Sequence, residues 1–447
     1  MPQRVPQQAG GSPAGGLTRR TFLTTSMALT AAAGAEFVVG KAPALAQTRT
    51  LHVLEWSSFV PAADVLRDQQ AAEFGKQAGV KVTIEHINAN DLPARATAAI
   101  EGRKGPDILQ LRDNSPHLYA GGLEDHNQLI AELGGDKFYP FVIEAVKVDG
   151  VVRGVPYFFA GGANTYRKDI FQKVGIDKLP DTWEEHLASG KKLKKFGMPI
   201  GQTLGHTFGD APGFAYPVLW SFGGMEVDEK GKVAINSKET RAAVDFVKEF
   251  WFAACDEGGL AWDDTTNNRA FHSGEISATL NGGSIYILAR RRPDIKDEKG
   301  HPLWPDTGHF RYPDGPHGPT PTYHVTYSTT IMKQSKNVAA AKELVKWLHA
   351  KEQYARWFEL EGGYATGANA VWEGSKMWAE VDEAMRPFKT AARGSRALGY
   401  AGPPSAKATL VYTKYVITDM YAKAVQGMPP EDAVRWAEGE LKRVYEG

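Results

Sequence analysis

The 447-residue chain has one cysteine, Cys255, so no disulfide bond can form within it and no cluster of thiolate metal ligands is possible. It also lacks an excess of either charge, because 52 lysines and arginines balance 52 aspartates and glutamates. Sequence-independent binding to nucleic acid or to an anionic membrane needs a positive field, so this balance argues against both. With 42% hydrophobic residues, the composition fits two globular domains or one two-lobed body.

Common catalytic motifs are also missing. The sequence has no H-E-x-x-H, no G-x-S-x-G and no G-x-x-x-x-G-K-[ST]. Residues 189–192 match S-x-x-K, but the companion S-D-N and K-T-G motifs are absent. Four histidines share a Pro-rich segment without the spacing of a metal motif, and we interpret them as surface residues: His301, His309, His317 and His324.

The first 46 residues contain the features of an export signal in their usual order. Arg19 and Arg20 precede an apolar run that is too short and too weakly hydrophobic to span a bilayer. The small residues Ala44 and Ala46 suit a signal peptidase, which predicts a twin-arginine signal at residues 1–46, cleaved after Ala46. A tail with a chance arginine pair is the alternative. No cysteine lies near the cleavage point, so we expect a periplasmic protein without a lipid anchor.

Residues 49–111 alternate strand, helix, strand, helix and strand. Val80, Val82 and Ile84 alternate with polar residues, which indicates a half-buried strand. This order and spacing predict parallel βαβ units. Ligands bind beyond the carboxyl ends of the strands in such sheets, and these ends are residues 56–58, 88–91 and 112–115.

Helix signals continue through the rest of the chain. Thr182 is a predicted N-cap, and Glu185 three residues later completes a capping box. Apolar stripes predict amphipathic helices over residues 237–252, 338–348 and 433–444.

Aromatic rings recur beside glycines and short polar groups. Phe214 and Tyr216 lie in a glycine-rich stretch, Tyr286 follows a glycine turn, and Tyr323 and Tyr364 adjoin predicted element ends. Sugars present apolar C–H faces, which aromatic rings cover, and a rim of hydroxyls, which Asp, Asn, Arg or Ser bind. The alternative for each ring is that it packs in the core.

Several segments also carry a family resemblance. The most telling are GPDILQL at residues 105–111, the VDG, GVP, NTYRKD and PDTWEEH segments within 148–186, and F-x-x-G-E-x-x-x-x-x-N-G at 271–282. They run in family order over nearly all of the chain after residue 46. The sequence resembles the extracellular solute-binding proteins of ABC importers, family 1, the sugar-binding group that includes maltose-binding protein.

The resemblance implies a two-lobed α/β fold of the periplasmic-binding type II kind. Each lobe would hold a mixed sheet flanked by helices, with chain crossings near residues 155–156, 325 and 371. Lobe 1 would comprise residues 47–156 and 326–371, and lobe 2 residues 157–325 and 372–447. A solute would bind in the cleft between them.

The same resemblance implies a transport role. The family has no catalytic activity and no cofactor or metal, and it delivers its solute to an inner-membrane ABC permease. We therefore expect a monomer that meets the twin-arginine translocase during export, and then a small solute, most simply a sugar.

The site residues follow from the strand ends and from the family positions. The predicted ligand-binding residues are Trp56, Ser57, Ser58, Asn90, Asp91, Arg112, Asp113, Asn114, Tyr157, Phe214, Tyr216, Gly283, Ser284, Tyr286, Tyr323, His324 and Tyr364. Related sugar binders place a stacking tryptophan after the N-G pair, where this chain has Ser284. The first chain crossing often supplies an acidic ligand contact in relatives, whereas this chain has Ala160 and Gly161 there. Trp56 is therefore the leading candidate for a ring that stacks on the ligand.

Two other functions are compatible with the sequence. W-S-S-F-V-P at residues 56–61 also looks like the first loop of polyamine-binding relatives, although the strand ends offer only Glu55, Asp91 and Asp113 to bind amines. An exported hydrolase is the remaining alternative, and the sequence shows no nucleophile–base pair for it.

Overall fold

The computed structural model describes residues 49–447, and the predicted export signal with its cleavage point lies outside this described part. Residues 49–447 belong to one compact unit. None of the helices in residues 49–447 has the length and apolar character needed to cross a membrane.

The strands of the described residues form a six-stranded sheet, a three-stranded sheet and a two-stranded hairpin. The strands are β1 Arg49–Trp56, β2 Val80–Ile87, β3 Ile108–Arg112, β4 Lys147–Val148, β5 Val151–Val152, β6 Val155–Ala160, β7 Ala163–Arg167, β8 Ala278–Asn281, β9 Thr307–Phe310, β10 Val325–Ile331 and β11 Ala365–Gly367.

Helices cover both sheets. They are α1 Pro61–Ala78, α2 Leu92–Glu101, α3 Ser115–Tyr119, α4 Asn127–Glu132, α5 Pro140–Val146, α6 Lys168–Lys173, α7 Trp183–Phe196, α8 Asp210–Ser221, α9 Lys238–Ala254, α10 Thr266–His272, α11 Ser284–Arg291, α12 Val338–His349, α13 Lys351–Glu361, α14 Met377–Glu380, α15 Arg386–Lys389, α16 Ala406–Thr413, α17 Val416–Val425 and α18 Pro430–Tyr445.

The six-stranded sheet has the order β11-β6-β10-β3-β1-β2. Strand β1 is parallel to β2 and to β3, and Val53 pairs with Ile84 on one side and with Ile108 on the other. The parallel βαβ units predicted for residues 49–111 are therefore confirmed. Strand β10 returns antiparallel between β3 and β6, which makes the sheet mixed.

The three-stranded sheet has the order β8-β7-β9, and both outer strands are antiparallel to β7. The chain passes from β6 to β7 through Gly161 and Gly162 alone. A Cβ atom on Gly162 would lie 2.4 Å from the Tyr312 hydroxyl oxygen, so a side chain does not fit at this crossing. Strand β6 stays in the first sheet to Ala160, past the predicted crossing at 155–156. The lobe boundaries remain a prediction.

Helix α7 begins at the predicted cap. The Thr182 hydroxyl accepts a hydrogen bond from the Glu185 backbone N–H at 3.2 Å, which confirms the N-cap. The Glu185 carboxylate accepts from the Asp181 N–H at 2.7 Å instead of returning to Thr182. Trp183 is buried and meets the Phe246 ring of α9 at 5.9 Å, so the cap directs α7 onto α9.

Replacing the cap residue tests this start signal. We expect Thr182→Ala to lower the free energy of unfolding by about 1 kcal/mol, because the Glu185 N–H loses its acceptor. Urea denaturation measures the change. Lys195→Ala, an exposed substitution in the same helix, serves as the control and should leave stability nearly unchanged. Equal effects of the two substitutions would show that the cap contributes nothing.

Candidate functional site

A small cavity lies where the two sheets meet. Strand β3 contributes Arg112, the β6–β7 crossing contributes Gly161 and Gly162, and strand β8 contributes Leu280 and Asn281. Its volume is about 60 Å³, well below the roughly 300–1,000 Å³ of pockets for drug-sized ligands. In this conformation the cavity therefore has room for a small chemical group and not for a drug-sized ligand.

Five of the predicted binding residues line this cavity together. They are Arg112, Ser284, Tyr323, His324 and Tyr364. They come from positions as far apart in sequence as residues 112 and 364, and the six-stranded sheet and its connections bring them to one place. Their role in binding remains a prediction.

Arg112 ends strand β3 with its side chain fully enclosed. One guanidinium N–H donates to the Phe208 carbonyl oxygen, whereas Nε and Nη1 have no hydrogen-bond partner among the described residues. Burial opposes the charged form, but the neighbouring Tyr327, Tyr412 and Asp113 outweigh it and raise the pKa of Arg112. The cavity thus holds a permanent cation with unused donors.

Asp113 and Asn114 follow Arg112 but do not line the cavity. The Asp113 carboxylate accepts from the Thr326 N–H at 3.0 Å, and burial raises its pKa to about 6. The Asn114 amide donates to the Leu398 carbonyl at 2.8 Å, and its backbone carbonyl accepts from the Thr409 hydroxyl. Both residues hold the loop after β3 in place.

Trp56 lies behind the cavity wall. It is 5% exposed, and its ring stacks on Tyr327 at 4.9 Å and on Tyr364 at 6.0 Å. Those two tyrosines line the cavity and Trp56 does not. In this structure the tryptophan supports the rings that a ligand would meet, and direct stacking on a ligand stays a prediction.

The two serines after Trp56 have structural partners. The Ser57 N–H donates to the Ile87 carbonyl at 2.8 Å. The Ser58 hydroxyl donates to the Glu361 carboxyl at 3.2 Å, and its N–H donates to Asp64. Asn90 and Asp91, at the end of β2, are exposed, and Ala89 of the same turn lines the cavity instead.

Several predicted rings lie away from the cavity. Phe214 packs between Trp183 and Phe250. Tyr216 is buried next to Glu226, and burial together with that carboxylate raises the pKa of Tyr216.

Gly283 and Tyr286 do not line the cavity either. Gly283 precedes α11, and a Cβ atom there would lie 2.5 Å from Cε of Met385. The Tyr286 hydroxyl donates to Asp382. Both residues pack α11 against the segment around residue 385.

Tyr157 belongs to a second, separate cavity. That cavity measures about 760 Å³ and shares no lining residue with the smaller one. Its aromatic lining includes Tyr354 and Trp372, and its charged residues are exposed lysines and Glu359. The smaller cavity is the better candidate because buried charged and polar groups converge there at strand ends.

The interpretation of four surface histidines is wrong for two of them. His309 and His324 are 8% and 2% exposed. The His324 imidazole accepts from the Gly162 N–H at 3.1 Å through Nδ1 and donates to the Ala391 carbonyl at 2.8 Å through Nε2. Burial lowers the pKa of His324 to about 4, so the ring is neutral and holds the crossing.

Sequence reasoning missed two buried acids of the cavity, Asp210 and Asp264. The Asp264 carboxylate accepts from the Asp210 N–H at 2.8 Å, and the Asp210 carboxylate accepts from the Asn267 amide at 2.8 Å. Burial and the charge of Asp264 raise the pKa of Asp210, and burial raises that of Asp264. The sequence could have indicated Asp210, because this residue begins α8 directly after Gly209. No feature of the sequence singled out Asp264.

No cluster in residues 49–447 offers three metal-ligating His, Cys, Asp or Glu side chains. What the cavity offers is a cation, two carboxyls, an amide and aromatic faces. Such a set can bind hydroxyl groups and cover an apolar surface.

Comparison with known proteins shows the family of the chain. The model of the bacterial extracellular solute-binding protein family matches residues 69–386, and the chain belongs to this family. An ABC transporter-binding protein of Deinococcus radiodurans is 22% identical over 76% of this chain and 80% of its own length. A binding protein of Brucella abortus is 26% identical over 224 residues, and the chain spans about half the length of that relative, 51%.

Solved structures share the fold. The maltose-bound MalE3 of T. maritima aligns with a TM-score of 0.74 and 23% identity over 88% of this chain and 99% of that one. A solute-binding protein of Thermotoga lettingae, bound with α-D-tagatose, aligns with a TM-score of 0.76 and 18% identity over 89% and 100%. The two-lobed α/β fold predicted from the sequence is confirmed.

The packing around Trp56 sets the expected effect of its removal. We expect Trp56→Ala to lower the free energy of unfolding by about 3–5 kcal/mol, because a buried indole leaves a cavity behind Tyr327 and Tyr364. Urea denaturation measures this loss. Trp56→Phe, which keeps an aromatic ring there, should lose clearly less. An alanine variant as stable as the parent protein would show that the indole is not part of the core.

Two buried carboxyls predict a pH dependence of stability. Burial raises the pKa of Glu226 and of Glu361 from 4.5 to about 8. The folded state then binds more protons than the unfolded state between these values, so stability falls as pH rises through this window. Buried histidines such as His324 act in the opposite sense, but only below their usual pKa of about 6.5.

The window from pH 6.5 to 8 excludes the histidine contribution, and substitution separates Glu226 and Glu361 from other buried carboxyls such as Asp210. Each contributes a loss of about 2 kcal/mol across it, and Glu226→Gln or Glu361→Gln should remove that share. Urea denaturation at the two pH values measures the difference. The exposed Glu298→Gln should keep the slope of the parent protein. Parallel profiles for all variants would contradict the raised pKa values.

Proposed function

We propose that this protein is the periplasmic solute-binding component of an ABC importer and that it binds a carbohydrate, a mono- or oligosaccharide, in the cleft between its two sheets. The observation that carries the proposal is the cavity itself. Aromatic faces and buried polar groups converge there at strand ends, in a chain of the extracellular solute-binding family. The protein would deliver its solute to a membrane permease.

The cavity lining matches the two surfaces of a sugar. Tyr327 and Tyr364 present aromatic faces, which cover apolar C–H groups. Arg112, Asn281 and Ser284 add donors and acceptors for hydroxyls. The Asn268 amide donates to the Ser284 hydroxyl at 3.0 Å, so this polar rim is already oriented.

Relatives support a carbohydrate or polyol as the solute class. One relative is a mannitol-binding protein of Pseudomonas aeruginosa, 23% identical over 54% of this chain and 58% of its own length. The structural neighbours include proteins bound with maltose, α-D-tagatose and ribitol. These ligands belong to those proteins, and they define the first compounds to test here.

Binding would act through lobe closure. The crossing at Gly161 and Gly162 borders the cavity, so a solute bound there touches both sheets and the hinge between them. A solute that binds the closed form more tightly than the open form shifts the equilibrium toward closure. The permease would then recognise the closed lobes.

We assign no catalytic step to this cavity. Both nitrogens of His324 are occupied by backbone groups, which leaves that imidazole without a free position to act as a base. The remaining lining groups suit recognition.

The route to the periplasm completes the proposal. A twin-arginine signal over residues 1–46 would direct the chain to the translocase, and cleavage after Ala46 would release a monomeric protein into the periplasm. The arginine pair, the weakly apolar run and the small residues at the cleavage point support this route.

A polyamine is the second candidate, and one observation favours it. Asp210 and Asp264 bring two buried carboxyls to the cavity that the strand ends alone do not supply. Carboxylates are the groups that bind buried amines.

A thermal-shift screen of the protein without its first 46 residues separates these candidates. We expect stabilisation by at least one of maltose, tagatose, ribitol or mannitol, since a ligand at ~100 times its Kd adds ~2.7 kcal/mol. Spermidine is the matched polyamine probe and should have no effect. Stabilisation by spermidine and by no sugar or polyol would contradict the carbohydrate proposal.

A further inference from the structure

The larger cavity, of about 760 Å³, has no part in the proposed function and shares no lining residue with the candidate site. Four parts of the chain form it: the junction of α12 and α13, the turn between α4 and α5, strand β6, and residues 369–376 after β11. Pockets that bind small molecules measure roughly 300–1,000 Å³. This cavity therefore has room for a small organic molecule in the present conformation.

Aromatic rings form the floor of this larger cavity. Tyr157 and Tyr354 are buried with their ring centroids 4.9 Å apart, and the half-buried Trp372 lies 4.6 Å from the Tyr354 ring. The Tyr354 hydroxyl donates to the Tyr157 carbonyl at 2.6 Å, and the Tyr157 hydroxyl accepts from Arg67 at 3.1 Å. Both phenol groups thus have partners, and what remains for a ligand is ring surface, which favours a planar aromatic body.

His349 extends the floor without adding charge to it. Its ring centroid lies 4.9 Å from that of Tyr157 and 5.9 Å from that of Tyr354. Burial, together with the charge of Arg67, lowers the pKa of His349 to about 3. The imidazole is therefore neutral at pH 7, and the floor remains apolar in character.

The rim of the cavity, in contrast, is positively charged. Lys137, Lys351 and Lys376 line it and are exposed. Lys376 lies 3.7 Å from the carboxylate of Glu359, so these two charges offset each other. Within residues 49–447, neither Lys137 nor Lys351 has a carboxylate within 4 Å. The rim therefore carries two uncompensated ammonium groups, which attract an anion.

The start of α13 adds to this positive rim. Lys351 is the first residue of the helix, and Ala350 at the cap position supplies no side-chain hydrogen bond. The first N–H groups of a helix have no partner within it, and the helix dipole places positive charge at that end. An acceptor with negative charge is therefore favoured beside Lys351.

Ring faces and positive charge together define one ligand class. An organic ammonium ion would gain from the rings but would meet the unpaired Lys137 and Lys351. A neutral aromatic compound would fill the floor and leave both lysines without a partner. A compound with an aromatic body and a carboxylate satisfies the floor and the rim at once.

We propose that this cavity is a second binding site, which takes aromatic carboxylates. The ring lies on the floor formed by Tyr157, Tyr354 and Trp372, and the carboxylate faces Lys137 and Lys351. This site is independent of the candidate site between the two sheets, so its occupation does not require a sugar.

Isothermal titration calorimetry with matched probes at pH 7 tests this second site. The probes are 2-naphthoate, 2-naphthalenemethanol and 2-naphthylmethylamine, which share one ring system and differ in charge. We expect 2-naphthoate to bind about tenfold more tightly than the alcohol, and the amine more weakly than both, because exposed ion pairs make modest contributions. This ratio should shrink in about 1 M NaCl, which screens exposed charges. Octanoate, a carboxylate without a ring, should bind more weakly than 2-naphthoate.

Two substitutions that fill the cavity locate the binding. Ala355→Phe places a ring in the cavity from α13, and Gly374→Leu does so from the segment after β11, where a Cβ atom meets no other atom within 4 Å. Each should weaken 2-naphthoate binding at least about tenfold, since the added side chain occupies the space of the ligand. Ala242→Phe, at an exposed position of α9, is the matched control and should bind as the parent protein does. Ligand-free melting curves verify that each variant folds.

A lysine variant tests the charge of the rim. Lys137→Gln combined with Lys351→Gln should bring the affinity for 2-naphthoate close to that for 2-naphthalenemethanol, because both ammonium groups are removed. Lys195→Gln removes the same charge from an exposed position of α7 and should leave the ratio unchanged. Equal ratios in the double variant and the parent protein overturn the role of the rim.

Three further outcomes overturn the second site as a whole. They are undetectable binding of 2-naphthoate, binding that survives both cavity-filling substitutions, and affinity for the alcohol or for octanoate that equals the affinity for 2-naphthoate. A ligand-free dimer that 2-naphthoate dissociates in analytical ultracentrifugation also overturns it, because the cavity would then serve a second copy of the chain. None of these results bears on sugar binding, which the thermal-shift screen decides separately.

Discussion

A guanidinium group enclosed between two sheets must find acceptors and negative charge close by, because burying an unpaired charge costs far more than any single contact returns. Arg112 imposes this requirement on its whole neighbourhood. The Phe208 carbonyl before α8 takes one of its N–H groups, the rings of Tyr327 and Phe208 lie 5.5 and 5.8 Å from its carbon, and Asp113 follows it in the loop. The hydrogen bond to the Phe208 carbonyl connects the segment before α8 to the end of β3.

A steric constraint also acts on the chain crossing beside Arg112. Gly162 follows β6 with its N–H bonded to His324, and a Cβ atom at this position would clash with Tyr312. Tyr312 in turn donates to the Gly213 carbonyl within α8 at 3.1 Å. The crossing thus bonds to the neutral histidine, and Tyr312 beside the crossing bonds to helix α8.

Aromatic rings form two layers on the other side of the cavity. Tyr327 and Tyr364 line it, and Trp56 stacks behind both. A buried indole holds the orientation of the tyrosines, and rigid walls reduce the entropy that is lost when a ligand binds. The departure from relatives at Ser284 fits this arrangement, since Ser284 contributes a hydroxyl at a position where a ring would occupy the small cavity.

Much of the fold was readable from residues close together in sequence. Hydrophobic periodicity marked β1 to β3 and their helices, Thr182 marked the start of α7, and the family segments implied the two-lobed architecture. Five cavity residues, including Arg112 and Tyr364, followed from strand ends and family positions. These features depend on local spacing and on backbone hydrogen bonding, which a sequence displays directly.

Only the tertiary structure decided which side chains face the cavity. Asp210 and Asp264 lie 54 residues apart and meet through a single backbone hydrogen bond. Trp56 ends a strand just as a ligand-binding ring would, yet Tyr327 from the distant strand β10 covers it. Tyr157 and Tyr216 are aromatic residues of the kind that sugar sites use. Tyr157 lines the larger cavity instead, and Tyr216 is buried in the core. Whether a ring or a carboxyl meets solvent, ligand or core is set by partners distant in sequence, and no local pattern records them.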